Sequence, residues 1–411
     1  MLNFVDVDLY IEKIKLSDIA KKYGTAVFVY SKKKIVDNFA NYKKALNKKK
    51  GLICFACKAN SNGKILEILA KLGAGADTTS GGEIFRCLKA GFSASKIVYA
   101  GVGKTSEEIE YALKNKILMF NVESLEELDT INNIAAKLKA KAKIAFRINP
   151  HVDPDTHQNI ATGKKGTKFG IDYNEAVEAY DYAKTKKNII ISGIHFHIGS
   201  QILDIRPYEA AAQKIQKIIL QLQKNGIKIE YVNIGGGLGI AYEKWQEYLL
   251  PHELAETVLP IFDKNKKIIF EPGRSIIADA GHLLSKVIYR KFSGEKNFII
   301  VDAGMNDLVR PALYGSYHEI VPIKKSNINN KIKTDIVGPI CESGDFMGKD
   351  RTLSLLEQGD FLLIKNTGAY GFAMSSQYNS RPMLPEVLVD KDKATLIRKR
   401  GTFKDLLLNE V

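Results

Sequence analysis

From about residue 50 the chain alternates between short β-branched or apolar runs and longer amphipathic stretches rich in Lys and Glu. The apolar runs fall at 52–57, 75–79, 97–100, 117–121, 144–148, 190–195, 231–234 and 268–270. Between them, helical spacing of apolar positions marks stretches such as 63–72, 82–90, 106–115 and 208–225. Strands alternating with helices build βαβ units and a parallel sheet. The eight runs match the strand number of a closed (β/α)8 barrel. An open doubly wound sheet is the alternative that the same rhythm allows.

After about residue 275 the rhythm changes. Strand-like runs at 287–290, 298–301, 320–323, 333–337, 361–364 and 386–389 follow one another with turns and few helical patterns. They predict a mostly antiparallel β domain. The expected division is a barrel over 26–275 and a β domain over 276–411, with 1–25 packing on the latter. There is no fixed-period repeat, low-complexity linker or coiled-coil heptad.

Composition narrows the setting. Of 411 residues, 45% are hydrophobic and 26% charged, the profile of a globular chain with a sizeable core. The net charge of +15 is spread as short Lys runs along the whole chain, unlike the concentrated basic face of a nucleic-acid reader. No nucleic-acid partner is expected. Four cysteines are too few for a disulfide framework. The first ten residues lack an apolar core of a secretory signal. No apolar run approaches the ~18 residues that span a bilayer. The expectation is a reduced, cytoplasmic protein with no membrane partner.

In an eight-fold barrel, chemistry gathers where strands end. The first run leads into Lys58. The sixth leads into His195, His197 and Ser200. The seventh leads into Gly235, Gly236 and Gly237, and the eighth into Glu271, Gly273 and Arg274. Glycine loops after strands seven and eight occupy the usual phosphate position of such barrels. A glycine triplet serves equally as a tight turn, and the second loop with its arginine favours the phosphate. A lysine lining a barrel near a phosphate suggests a Schiff base with an aldehyde cofactor, though a solvated strand-end lysine fits the same position. A carboxylate such as Glu271 beside a pyridine nitrogen keeps it protonated, and the ring becomes an electron sink.

Other features point elsewhere and fail. Cys54 and Cys57 resemble a redox or zinc pair, but i and i+3 on a strand face opposite ways and no second pair exists. Residues 102–105 resemble the tail of a P-loop, but Val98 stands where the motif needs glycine. His195 and His197 share one strand face, with no third ligand nearby in sequence, so no metal is expected. In the β domain, Cys341 sits in a polar loop suited to delivering a proton, or is an unreactive loop cysteine. Arg310 and Tyr314 are candidate carboxylate binders.

Six segments carry a resemblance. They are Phe55 to Asn60, His195 to Gln201, Gly235 to Gly239, Glu271 to Arg274, Cys341 to Asp345 and Gly368 to Gly371. In this order they resemble the diaminopimelate decarboxylase family, fold-type III pyridoxal-phosphate enzymes of lysine biosynthesis, over nearly the whole chain. The resemblance implies a (β/α)8 TIM barrel with a C-terminal β domain, in a homodimer with shared active sites. It implies pyridoxal 5'-phosphate as cofactor, held as a Schiff base by Lys58. His197 would stack on its ring. Ser200, Gly235, Gly236, Gly237, Gly273, Arg274 and Tyr370 would serve its phosphate, and Glu271 would pair with its ring nitrogen. Arg274, Arg310, Tyr314, Glu342 and Tyr370 would bind substrate, the far end of meso-diaminopimelate being taken as the D-configured one. Cys341 would protonate the carbanion, with Glu342 beside it, both from the partner subunit. The loop from His157 to Lys168 resembles the family's mobile cover. Cys57 departs from the pattern, where the family more often has an aliphatic residue.

The implied activity is decarboxylation of meso-2,6-diaminopimelate to L-lysine and CO2, the last step of lysine biosynthesis. The alternative is a related decarboxylase of lysine, ornithine or arginine, whose substrates lack the far carboxylate that Arg274 and Arg310 suit. An alanine-racemase-like enzyme would want a cation where Glu271 stands. A non-catalytic pyridoxal-phosphate carrier would lack the β domain.

Overall fold

The computed structural model describes residues 2–46, 49–154, 162–163, 166–325 and 331–411. The chain forms two compact units. One holds 39–240 and 247–275. The other holds Met1–Asn38, Ala241–Gln246 and Ile276–Val411.

In the first unit, eight parallel strands follow one another around a ring: Gly51–Ala56, Gly75–Thr78, Ile97–Tyr99, Met119–Val122, Ala142–Asn149, Ile189–His195, Tyr231–Asn233 and Lys267–Phe270. The eighth pairs back to the first, Ile268 opposite Gly51 and Phe270 opposite Ile53. The ring is therefore closed, and the open-sheet alternative falls away. Helices are started by side chains that accept otherwise unpaired N–H groups. Asn62 caps Gly63–Lys71, Ser80 caps Gly81–Lys89, and Thr105 forms a capping box with Glu108 ahead of Ser106–Lys114. The long helix Arg206–Lys224 buries Ala211, Ala212, Ile215, Ile218, Ile219 and Leu222, the three- and four-residue spacing of one face. Cys54, Val98, Met119, Ala145 and Ile269 form an apolar cluster. Polar side chains from the strand ends are buried as well: Asp77, Asn121, His195 and Asn233.

One boundary matters for chemistry. The first strand stops at Ala56, and Cys57–Ala59 form a 3-10 turn. Strand alternation therefore does not decide where Cys57 and Lys58 point, contrary to the expectation. Cys57 is buried with Cys87 as its hydrogen-bonding neighbour, while the Cys54 thiol meets the Lys96 carbonyl at 3.7 Å.

The second unit is a mostly antiparallel sheet built around the long strand Gly281–Ser293. That strand pairs antiparallel with Lys296–Val301, Phe361–Ile364 and Val27–Ser31. Val27–Ser31 pairs parallel with Glu386–Asp390, so residues 26–38 belong with this sheet. The N-terminal residues contribute a three-stranded meander and the helix Leu16–Tyr23. Leu9, Ile11, Leu16 and Ile19 close a core with Val27, Val29, Leu284, Leu363 and Val387. Phe346–Ser354 and Lys393–Arg398 lie outside the predicted runs because polar residues interrupt them and few of their positions are buried, and the fully buried Val27–Ser31 lies outside them as well. Among the described residues no helix is long and apolar enough to cross a membrane.

Candidate active site

The C-terminal ends of the barrel strands gather Lys58, Asp77, Asn121, His195, Asn233 and Glu271. Lys58 Nζ lies 3.4 Å from Asp77 Oδ2. The Lys58 side chain is 41% exposed while that of Asp77 is 2% exposed, so the amine is the accessible edge of a buried polar layer. Glu271 is buried at the end of the eighth strand. Its Oε1 accepts from Asn233 Nδ2 at 2.5 Å and from Asn121 Nδ2 at 3.2 Å, and its Oε2 lies 3.2 Å from His195 Nε2.

These contacts decide which carboxyl is charged. Burial alone would raise Glu271, but His195, the Asn233 hydrogen bond and the Lys58 charge override it and hold Glu271 below the ordinary carboxylate range. Asp77 goes the other way. Burial and the Glu271 charge push it up, against the smaller pull of Lys58. The layer thus carries one firmly ionised carboxylate and one that resists ionisation.

His197 lies just beyond the sixth strand, and its Nδ1 accepts the Gly236 N–H at 3.2 Å. Burial and the Arg147 and Lys58 cations push its pKa well below 6.5, so the ring is neutral and oriented by the glycine loop. The glycine triplet has a packing reason of its own. A Cβ on Gly236 would stand 2.1 Å from the Glu271 carbonyl oxygen, and one on Gly237 would stand 2.3 Å from that of Gly199. The Gly235 N–H donates to Asn233 Oδ1 at 3.0 Å. The seventh-strand loop is therefore tied by Asn233 to Glu271 and by Gly236 to His197. Ser200 Oγ accepts from Arg274 Nη2 at 3.0 Å, which brings two more of the predicted residues together.

Aldehyde-cofactor chemistry can be tested against this arrangement. Asp77 Oδ1, Asn121 Oδ1 and His195 Nδ1 are buried with no hydrogen-bond partner among the described residues. Buried polar atoms are normally paired. Orphans on three strands, around an accessible primary amine and an ionised carboxylate, fit a polar ring seated there.

Gly273 stays in the barrel unit, where an added Cβ would stand 3.0 Å from those of Ala56 and Ala59, and the other predicted residues lie in the sheet unit. Arg310 is buried and opens the short helix Arg310–Tyr314. Cys341 and Glu342 are exposed on the loop after Lys331–Val337. The Cys341 N–H donates to Asn379 Oδ1 at 2.8 Å, and Tyr378 OH donates to Glu342 Oε2 at 3.4 Å. Asp345 clamps this loop, accepting from the Met305 N–H with one oxygen and from the Ile340 N–H with the other, both at 2.6 Å. Tyr370 has a φ of +59° in a turn where a Cβ on Gly368 would stand 2.0 Å from the Ile277 carbonyl oxygen. Of the expected cover loop, residues 157–161 and 164–165 lie outside the described residues.

The comparisons with known proteins agree with this geometry. Residues 32–278 match the family model of the pyridoxal-dependent decarboxylases, pyridoxal binding domain. A diaminopimelate decarboxylase of Aquifex aeolicus is 49% identical over 403 residues, covering 98% of this chain and 95% of that protein. The chain belongs to the diaminopimelate decarboxylase family. Two solved structures of this family, both with L-lysine, superpose on nearly all of it. The Helicobacter pylori enzyme has a TM-score of 0.93 at 45% identity and covers 96% of this chain and 99% of its own. The M. jannaschii enzyme has a TM-score of 0.95 at 39% identity and covers 100% and 97%. Membership carries the pyridoxal cofactor and the barrel-plus-sheet architecture.

Reading the strand ends missed part of the site. Asp77, Asn121 and Asn233 are the polar residues inside otherwise apolar strands, and a search confined to the loop after each strand passes over them. A polar side chain among the last residues of a barrel strand was the available signal.

Proposed function

We propose that this protein removes CO2 from meso-2,6-diaminopimelate and releases L-lysine, using pyridoxal phosphate held at the barrel mouth. The observation that carries this reading is the buried, ionised Glu271 in the same polar layer as the accessible Lys58 amine.

When bound, the cofactor supplies an electron sink for the pair released as the C–CO2 bond breaks. The chain's residues supply the rest. Lys58 would hold the cofactor aldehyde through its accessible amine, leaving it open to the substrate amine. Glu271, pinned by Asn121, Asn233 and His195, would pair with the ring nitrogen and favour its protonated form, because its own charge is too stable to be given up. His197, neutral and fixed by Gly236, presents a flat face for stacking. Ser200, Arg274, the Gly235–Gly237 loop, Gly273 and Tyr370 serve the phosphate. Cys341 delivers one proton to the carbon that has lost CO2, which balances the reaction.

The product's handedness corrects one expectation. The meso compound has one D and one L centre, and L-lysine keeps the L centre. The carboxylate lost is therefore on the D centre, which faces Lys58. The far end, held by Arg274, Arg310, Tyr314 and Glu342, is the L-configured one. Cys341 and Glu342 are exposed on a clamped loop, which supports a homodimer in which each chain offers them to its partner.

The deciding experiment is CO2 release from purified protein with meso-diaminopimelate, L-lysine, L-ornithine and L-arginine side by side. Release from diaminopimelate alone supports the proposal; equal release from ornithine or arginine refutes it. Borohydride reduction of the holoenzyme followed by peptide mapping should label Lys58.

A further inference from the structure

Arg310 is held by neutral neighbours that the sequence did not single out, among them Tyr242, His318 and Ser316. Its Nη1 donates one hydrogen to Tyr242 OH at 3.0 Å and faces His318 Nε2 at 3.1 Å. Its Nη2 donates to Ser316 Oγ at 3.3 Å. The guanidinium carbon lies 5.0 Å from the centre of the Tyr242 ring, and that ring meets His318 edge to face at 5.3 Å. Arg310, Tyr242 and His318 are all buried.

The tautomer of His318 is set by its two neighbours. Its Nδ1 is 2.8 Å from the Lys365 carbonyl oxygen, which can only accept, so Nδ1 carries the hydrogen. Its Nε2 faces a guanidinium N–H, which can only donate, so Nε2 carries the lone pair. A second proton on the ring would set N–H against N–H. His318 is thus a neutral acceptor that fixes the plane of Arg310 without cancelling its charge. A carboxylate in its place would pair with Arg310 and compete with a ligand. Bidentate recognition of a carboxylate needs the guanidinium plane set in advance, and fixing a long side chain before binding removes an ordering cost from the binding step.

We propose that Tyr242 and His318 are positioning residues that set selectivity for the substrate's far carboxylate through Arg310. The inference rests on the reading of Arg310 as the holder of that carboxylate. Tyr242 reaches this cluster because residues 241–246 leave the barrel unit and fold with the sheet unit, shortly after the glycine loop that ends the seventh strand.

The test uses holoenzyme variants Tyr242→Phe, His318→Leu, His318→Gln and Arg310→Ala. Three quantities are read: KM and kcat for meso-diaminopimelate, the inhibition constant of L-lysine, which keeps the far carboxylate, and that of 1,5-diaminopentane, which lacks it. Loss of a hydrogen bond to a buried charge should raise KM and the L-lysine constant together by about 10- to 100-fold in His318→Leu. The shift should be about 3- to 10-fold in Tyr242→Phe, where only a hydroxyl is lost. The 1,5-diaminopentane constant and kcat should stay within about 2-fold, and Gln at 318, which keeps an acceptor, should restore part of the loss. If Arg310→Ala weakens L-lysine while Tyr242→Phe and His318→Leu do not, the inference is overturned and the reading of Arg310 stands. If Arg310→Ala leaves L-lysine binding intact, both fall. A fall in kcat with both inhibition constants unchanged would also overturn the inference, since that is what general loosening of the fold produces.

Discussion

Asn233 links Glu271 to the Gly235–Gly237 loop, and its replacement separates two explanations of the site. Its Nδ2 donates to Glu271 Oε1 at 2.5 Å, and its Oδ1 accepts the Gly235 N–H at 3.0 Å. Asn233→Leu keeps the volume and removes both bonds. A hydrogen bond to a buried charge contributes about 1.5–3 kcal/mol, and a buried N–H left unpaired costs about 1–3 kcal/mol. The sum, about 3–6 kcal/mol, should lower the Tm of the apoprotein by roughly 6–24 °C in a unit of this size. The same loss moves the Glu271 pKa upward. Glu271 starts from about 2 and keeps His195, Asn121 and Lys58 beside it, so it stays ionised at neutral pH. The damage should therefore appear in stability and in cofactor affinity through the loosened Gly235 loop, weakened about 10-fold or more. The pH profile of kcat should gain no acid limb. Thermal melts, a pyridoxal-phosphate titration of apoprotein followed by absorbance, and a kcat profile from about pH 6 to 9 measure all three. A new acid limb near neutrality would refute the reasoning, because it would mean that Asn233 alone keeps Glu271 charged. An unchanged Tm would refute it as well.

Three further outcomes are expected. Cys341→Ala should keep cofactor absorbance while turnover collapses by at least about 100-fold; retained turnover would remove its proton-donor role. Asp345→Ala should leave Met305 and Ile340 N–H groups without their acceptor, lowering stability by about 2–4 kcal/mol in denaturant titrations and turnover with it, at unchanged cofactor affinity. Asp77→Asn should raise apoprotein stability as the pH climbs. A carboxyl whose folded pKa lies above its value of 3.8 in the open chain favours the fold when protonated, and that advantage is lost as pH rises through the folded pKa. The gain of the variant over the natural chain should thus be larger at about pH 8 than at about pH 5, and equal gains at both would refute the assignment.

Much of this molecule was legible in its sequence, for identifiable reasons. The barrel strands are buried on both sides over most of their length, so most of them read as apolar runs between amphipathic helices. The polar strands Phe346–Ser354 and Lys393–Arg398 pair at the sheet's two ends and carry no such signal. Candidate residues carried by chain-local motifs, such as Lys58, Glu271 and His197, could be picked out from their neighbours, and the structure brings them to the strand ends of the barrel. Tyr242 and His318 could not. They act by meeting Arg310 across 68 and 8 positions of sequence, and such long-range contacts leave no local spacing to read. The 3-10 turn at Cys57–Ala59 was equally hidden, because an apolar run does not show the residue at which its backbone stops being extended.

The deeper regularity is that two buried carboxyl groups in one polar layer are driven apart by their surroundings. Glu271 collects two amide donors and an imidazole, while Asp77 has one lysine at 3.4 Å and an oxygen with no partner among the described residues. Were both ionised, their repulsion in a buried setting would weaken each other's partners. With donors concentrated on Glu271, its charge is fixed and Asp77 absorbs the cost. This division suits a decarboxylase. Under the proposed reading, the group that would have to stay negative beside the cofactor ring is the one whose charge is hardest to remove, and the group beside the Lys58 amine is the one whose proton is easiest to keep. Pairs of titratable groups with opposed environments mark function more securely than either residue alone, because a packing role would not require the donors to be shared so unequally.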